Sequence, residues 1–446
     1  MKILQPSWAW TPEGILEDPV VTLDDGYILG CSTSARHPGE HVERLPGCLL
    51  LPGLVNAHSH AFQRAFRGHV QNRDAARGDF WTWREAMYRV AGALDPDQLG
   101  AVCRLAFLEM VESGVTEVGE FHYLHRDPAG RVYADPDLLA HVVIDAARAV
   151  GLRITLLRVA YHRAGPGEAL RPEQARFRAD TPDEVLAAVA RLSAHPDPHV
   201  RAGLAPHSIR AVPPAWLPEL ATYDGIVHAH VAEQPAEVAA CERESGCSPL
   251  RLLADAGLVT DRFGAVHLTF PSPGDVDVLA GAGGTIVVCP TTELDLGDGF
   301  LPVEARQRCN LALGSDSHAT IDLWHEARTL ELHGRALANR RHVITPPDDD
   351  AGLAARILRA ATADGARCLG SRAGEIRAGA PADLVAIDLG DVAAAGMPPL
   401  EAAAFAAHPG WVRRVWVGGE PVVRDGRHAD HDRIVADAVR VIRAVV

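Results

Sequence analysis

Eight times over roughly 300 residues a near-continuous apolar run gives way to turn residues and then to a stretch with helical spacing, and this alternation restricts the fold most. The runs are CLLLPGLVNAH (48–58), VTEVGEFHY (115–123), RITLLRVAYH (153–162), VRAGLAPHS (200–208), GIVHAHVAE (225–233), GAVHLTF (264–270), TIVVCPTTE (285–293) and LALGSDSH (311–318). Strands apolar on both faces must be covered on both, as in a parallel sheet wrapped by helices. Between them lie amphipathic stretches such as DPDQLGAVCRLAFLEMVESG and TPDEVLAAVARLSAH. Eight units of this kind predict an α/β chain folded as a (β/α)8 barrel in preference to a doubly wound sheet.

The two ends read differently. Residues 1–50 and 376–446 carry short alternating strands cut by Gly, Asp and Pro turns, among them VVTLDDGYILG and a hairpin-like VGGEPVVRDG. The expectation is a small β-sandwich assembled from both termini beside a barrel spanning 51–375. TPPDDDAG (345–352) reads as an exposed loop.

A formal net charge of -15 argues against a nucleic-acid ligand. No uninterrupted apolar run approaches the roughly 18 to 20 residues needed to span a bilayer, and MKILQPSWAW lacks the pattern of a signal peptide. The eight cysteines are scattered without a Cys-x-x-Cys pair, as reduced thiols in the cytoplasm would be. Lys2 is the only lysine. No lysine is therefore at hand in the barrel for a Schiff base or a carboxylated metal bridge, which favours a single-metal site.

In such a barrel the active groups stand at the C-terminal ends of the strands. The first run ends with His58 and His60, which share one strand face because residues i and i+2 do. Alone they also fit a hydrogen-bonded pair at a strand end. The later runs add Glu120, His122 and Tyr123, then Tyr161 and His162, His207 and Arg210, His228, His230 and Glu233, His267, Thr291 to Glu293, and Asp316. Imidazoles gathered on one rim point to a metal. Three neutral imidazoles and a carboxylate can hold zinc or iron with a position left for water, whose pKa then falls to roughly 7. Glu233 is placed to move a proton, and His267 to polarise the atom under attack. His228 and His230 share a face, so spacing alone leaves the strand-five ligand open. Arg84 and Arg210 suit an acidic small molecule, since guanidinium binds carboxylate in a fork.

HSHAFQRAFRG, DFWTWREAMYR, EFHYLHRDPAG, GLAPHSIRAV, HVAEQPAEV, CPTTELDLGDG, GSDSH and GEIRAGAPADLVAID resemble the amidohydrolase superfamily over nearly the whole chain. Within it they look like the branch that converts N-formimino-L-glutamate to N-formyl-L-glutamate and ammonia in histidine degradation. The resemblance implies one divalent metal, zinc ahead of iron, held by His58, His60, His230 and Asp316. It implies catalytic roles for Glu233, His267 and Asp316, and substrate contacts by Gln63, Arg84, Tyr123, His207 and Arg210. The chain departs from the pattern at HLTF, where a second histidine is usual, and slightly at TELDLGDG. A homodimer is the expected assembly. The alternatives are a mononuclear deaminase of a heterocycle such as guanine, cytosine or a triazine, the same reaction on N-formimino-L-aspartate, and a non-catalytic barrel. A heterocycle pocket calls for aromatic stacking and fewer paired arginines.

Overall fold

The computed structural model describes residues 1–33, 42–71, 80–346 and 352–446. Residues 347–351 of TPPDDDAG fall outside the described residues. Eight parallel strands form the barrel: Leu54–Ser59, Val115–His122, Arg153–Ala160, Val200–Pro206, Val227–Val231, Phe263–His267, Thr285–Val288 and Asn310–Leu313, each beside the next. The first three are buried throughout, as their apolar sequences require. Closure between the first and eighth strands falls at the C-terminal rim. There Asp316 N–H donates to the His58 carbonyl at 3.0 Å and His60 N–H to the Asp316 carbonyl at 3.1 Å. The bonds that shut the barrel thus belong to residues of the histidine cluster.

The helices follow from sequence in the same way. Pro96–Glu112 starts in a capping box, with Asp95 accepting from Gln98 N–H and the Gln98 side chain accepting from Asp95 N–H. Pro182–Ser193 is capped by Thr181 and buries Val185, Ala188, Val189 and Leu192 against the barrel.

Strands from both termini make one continuous nine-stranded mixed sheet, in which Lys2–Thr11 runs parallel to Val42–Pro52 and the other pairings are antiparallel. The hairpin expected in VGGEPVVRDG is present as Val412–Val417 and Glu420–Arg424. The run CLLLPGLVNAH divides at Gly53, where the chain passes from this sheet into the first barrel strand. A Cβ on Gly53 would come within 2.2 Å of Thr116 Oγ1, so only glycine fits the crossing. Below the barrel, Arg153 is bonded to buried Asp383, tying the sheet to the base of the third strand.

Three local readings change. Residues 431–445 form a helix, His431–Val445, with Ile434 and Ala438 buried and the helix packed on Pro96–Glu112, where strands were expected. Residues 291–293 lie in the short helix Pro290–Leu296 that follows strand seven, since Pro290 suits the first helical turn. Asp316 stands three residues beyond the eighth strand, in a loop. Among the described residues no helix is long and apolar enough to cross a membrane.

Candidate active site

His58, His60, His230 and Asp316 are all buried, and each offers one ligand atom within 4.8 Å of the others. Asp316 Oδ1 stands 3.5 Å from His58 Nε2 and 3.3 Å from His60 Nε2. Two tautomers are set from behind. His60 Nδ1 donates to the Phe121 carbonyl at 3.0 Å, and His230 Nδ1 to the His207 carbonyl at 2.9 Å. Each neutral ring is thereby left with an unprotonated Nε2. His58 has no hydrogen bond at either ring nitrogen among the described residues, although it is fully buried. An idle polar atom in the interior is costly, and a metal ion would satisfy it. Burial, helped by His60, His230 and His267, pulls the His58 pKa well below its usual value, and burial takes His60 down to about 4. A neutral N3 set with one carboxylate fits a divalent metal ion.

Beside this cluster sit the groups that can move protons. His267 Nε2 lies 3.9 Å from Glu233 Oε1 and 3.7 Å from Asp316 Oδ2, while its Nδ1 faces Glu293 Oε1 at 3.4 Å. Burial alone would lower the His267 pKa, but the hydrogen bond to Glu293 and the charges of Glu233 and Asp316 raise it to about 10. Burial would raise Glu233, yet Arg210, His267 and His230 hold it at about 2. Burial lifts Asp316 to about 7 against the pull of His267.

A cleft opens onto these residues. Gln63, Arg84, Tyr123, His207 and Arg210 all line it, together with His60, His230, Glu233 and Asp316. Gln63 Nε2 donates to the Tyr123 hydroxyl at 2.8 Å. Arg210, expected to meet a substrate carboxylate, bonds Glu233 Oε2 through Nη2 at 2.6 Å.

The amidohydrolase family model matches residues 49–422. The chain belongs to the amidohydrolase family. It is a hydrolase acting on C–N bonds. It is 38% identical to the formimidoylglutamate deiminase of Pseudomonas aeruginosa over 94% of this chain and 93% of that one. It is 30% identical to a 5-methylthioadenosine/S-adenosylhomocysteine deaminase of Natronomonas pharaonis over 93% and 90%. Among solved structures, an amidohydrolase from Brucella melitensis superposes with a TM-score of 0.90 at 32% identity, covering both chains in full. An adenosine deaminase from Xanthomonas campestris with bound zinc gives 0.83 at 28%, covering 99% and 98%.

Within this amidohydrolase the structure separates His228 from His230. His228 lies deeper, with Nε2 at 3.1 Å from the Cys368 carbonyl, and its ring fits because residue 264 is glycine. His122 and His125 pack edge to face on the barrel wall, and His162 stacks obliquely on Trp216, all three away from the cluster. Trp83 also lines the cleft; the Trp81 side chain falls outside the described residues.

Sequence reasoning gave no role to several residues that shape the site. Glu293 holds both His267 Nδ1 and Cys289 N–H. His318 joins Ser59, at 3.3 Å, to Ser315, at 3.0 Å, and Ser59 in turn donates to Glu120 at 2.6 Å. Tyr88, Tyr161 and Phe177 give the cleft an aromatic wall. Asp316, His318, His267, Leu268 and Ala232 all adopt left-handed backbone with φ between 45° and 69°. Strain of this kind in residues other than glycine collects where function fixes geometry.

Proposed function

We propose that this amidohydrolase hydrolyses N-formimino-L-glutamate to N-formyl-L-glutamate and ammonia, a step of histidine degradation, with zinc as its resident ion. The observation that carries the reading is a cleft lined by two arginines, Arg84 and Arg210, that ends on the histidine cluster. A glutamate derivative brings two carboxylates, each suited to a guanidinium fork. The likeness to the deiminase of Pseudomonas aeruginosa supports the same substrate.

His58, His60, His230 and Asp316 would hold the ion, which when bound acidifies water enough for attack near neutral pH. Glu233 takes a proton from the attacking water and passes it to the departing nitrogen. His267, held by Glu293 at its far nitrogen, donates to charge growing at the tetrahedral centre. Asp316 serves in the second proton transfer, so that nitrogen leaves as ammonia. Arg210 divides its guanidinium between Glu233 and a substrate carboxylate, which fixes the acid–base group and the substrate in one frame. Gln63 and Tyr123, bonded to each other, align the formimino group.

The aromatic wall of Tyr88, Tyr161 and Phe177 favours a second reading, a deaminase of a heterocycle. Ammonia release from N-formimino-L-glutamate, N-formimino-L-aspartate, guanine, cytosine and 5-methylthioadenosine separates the two. The highest kcat/KM is expected with the glutamate compound, and preference for a ring overturns the proposal. Glu233→Gln is expected to keep its metal and lose roughly 10²- to 10⁴-fold in kcat; near-normal turnover would refute the role given to Glu233. The proposed setting is cytoplasmic, supported by eight unpaired cysteines, and the proposed assembly is a homodimer, checked by sedimentation.

A further inference from the structure

Next to the histidine cluster the barrel interior holds a second trio of ligand-type side chains. His267, Cys289 and Asp316 each offer one atom within 4.8 Å of the others, and all three are buried. Asp316 faces both groups, with Oδ1 toward His58 and His60 at 3.5 and 3.3 Å and Oδ2 toward His267 Nε2 at 3.7 Å. His267 Nε2 is buried and has no hydrogen-bond partner among the described residues, whereas Nδ1 is committed to Glu293. Cys289 precedes the helix Pro290–Leu296, and its N–H donates to Glu293 Oε1 at 2.9 Å. A Cβ on Gly314 would lie 2.9 Å from Cys289 Sγ and 2.7 Å from His58 Cβ, so the thiol packs close beside the strand that carries the cluster. The same carboxylate geometry that serves one ion therefore also presents a free oxygen to a second.

An imidazole, a thiol and a carboxylate make a donor set that suits zinc, cobalt or cadmium and discriminates against magnesium and calcium. We propose that His267, Cys289 and Asp316 form a second cation subsite, filled by a thiophilic divalent ion in excess of the first and bridged to it by Asp316. On binding, the Cys289 S–H and the His267 Nε2–H bonds are exchanged for sulfur–metal and nitrogen–metal bonds, and both protons pass to buffer. Because the ion occupies His267 Nε2, the second equivalent inhibits turnover. The inhibition rests on the proposed function; the binding does not.

The test uses the full chain with its accessible thiols alkylated, loaded with one equivalent of Co2+ and titrated with a second. The second equivalent is expected to bring a sulfur-to-cobalt charge-transfer band in the near ultraviolet. Cys289→Ser and Cys289→Ala should keep the first equivalent, lose the band, and bind the second at least about tenfold more weakly, the least that loss of even an outer partner costs. Excess zinc should inhibit the wild type and spare both variants. Saturation at one equivalent, or a band that persists in both variants, overturns the subsite. Should the variants fail to fold, the wild-type titration alone decides. A band from protein that releases no ammonia from N-formimino-L-glutamate would leave the subsite standing and refute the substrate instead.

Discussion

Arg153 opens the third barrel strand at the end away from the histidines, and its Nε and Nη2 meet Asp383 at 2.6 and 3.1 Å. The Asp383 side chain is 0% exposed and that of Arg153 is 8% exposed. In Arg153→Met the carboxylate keeps, among the described residues, only the Gly418 N–H, at 2.7 Å, and an uncompensated buried charge costs about 3 to 5 kcal/mol. Unfolding entropy of about 2.1 cal/mol/K per residue over 446 residues comes to about 0.9 kcal/mol/K. Tm should therefore fall by about 3 to 5 °C in calorimetry at fixed metal concentration, with kcat unchanged because the pair is remote from the cleft. Replacing both partners, as Arg153→Met with Asp383→Leu, removes the stranded charge and should recover all but about 1 to 2 °C. A single substitution costing less than about 1 kcal/mol, or a double variant as unstable as the single ones combined, would refute the account of this link as a buried, mutually dependent pair.

Three further outcomes follow from named contacts. Chelation should abolish ammonia release and lower Tm, and zinc should restore both, because the imidazoles of His58, His60 and His230 are left buried without their ion; activity that survives complete chelation contradicts a metal role. Tyr123→Phe leaves Gln63 Nε2 without its 2.8 Å acceptor, a loss of about 1 to 3 kcal/mol, so kcat/KM should fall roughly 5- to 150-fold with the metal retained. In Gly53→Ala the new methyl meets Thr116 Oγ1 at 2.2 Å and Cγ2 at 2.3 Å, and overpacking of about 1 to 3 kcal/mol should appear as a Tm lower by about 1 to 3 °C.

The barrel was legible because its strands are long apolar runs buried on both faces, a pattern that depends on local composition alone. The helix at His431–Val445 was missed because it is rich in β-branched Val and Ile, which favour strands, and it follows a segment of short strands. The histidines were visible as residue types at strand ends. Spacing did not separate His228 from His230, which share a face; in the fold the His230 ring meets the His207 carbonyl and the His228 ring the Cys368 carbonyl. Glu293, His318 and Glu120 passed unassigned because each acts on a partner from another strand or loop, at separations the sequence does not encode.

By itself the sequence determined the fold class, the chemistry available at the rim and the residues able to supply it, because hydrophobic period and side-chain type are local properties. Tertiary structure alone decided which of those residues meet. Closure of the barrel between the first and eighth strands brings Asp316 against His58 and His60. Packing then holds Asp316, His267 and His318 in left-handed backbone that an isolated chain would not favour. Arg210 is the clearest case: its charge was readable from the sequence, but its pairing with Glu233 depends on two loops brought together by the pairing of the adjacent strands Val200–Pro206 and Val227–Val231.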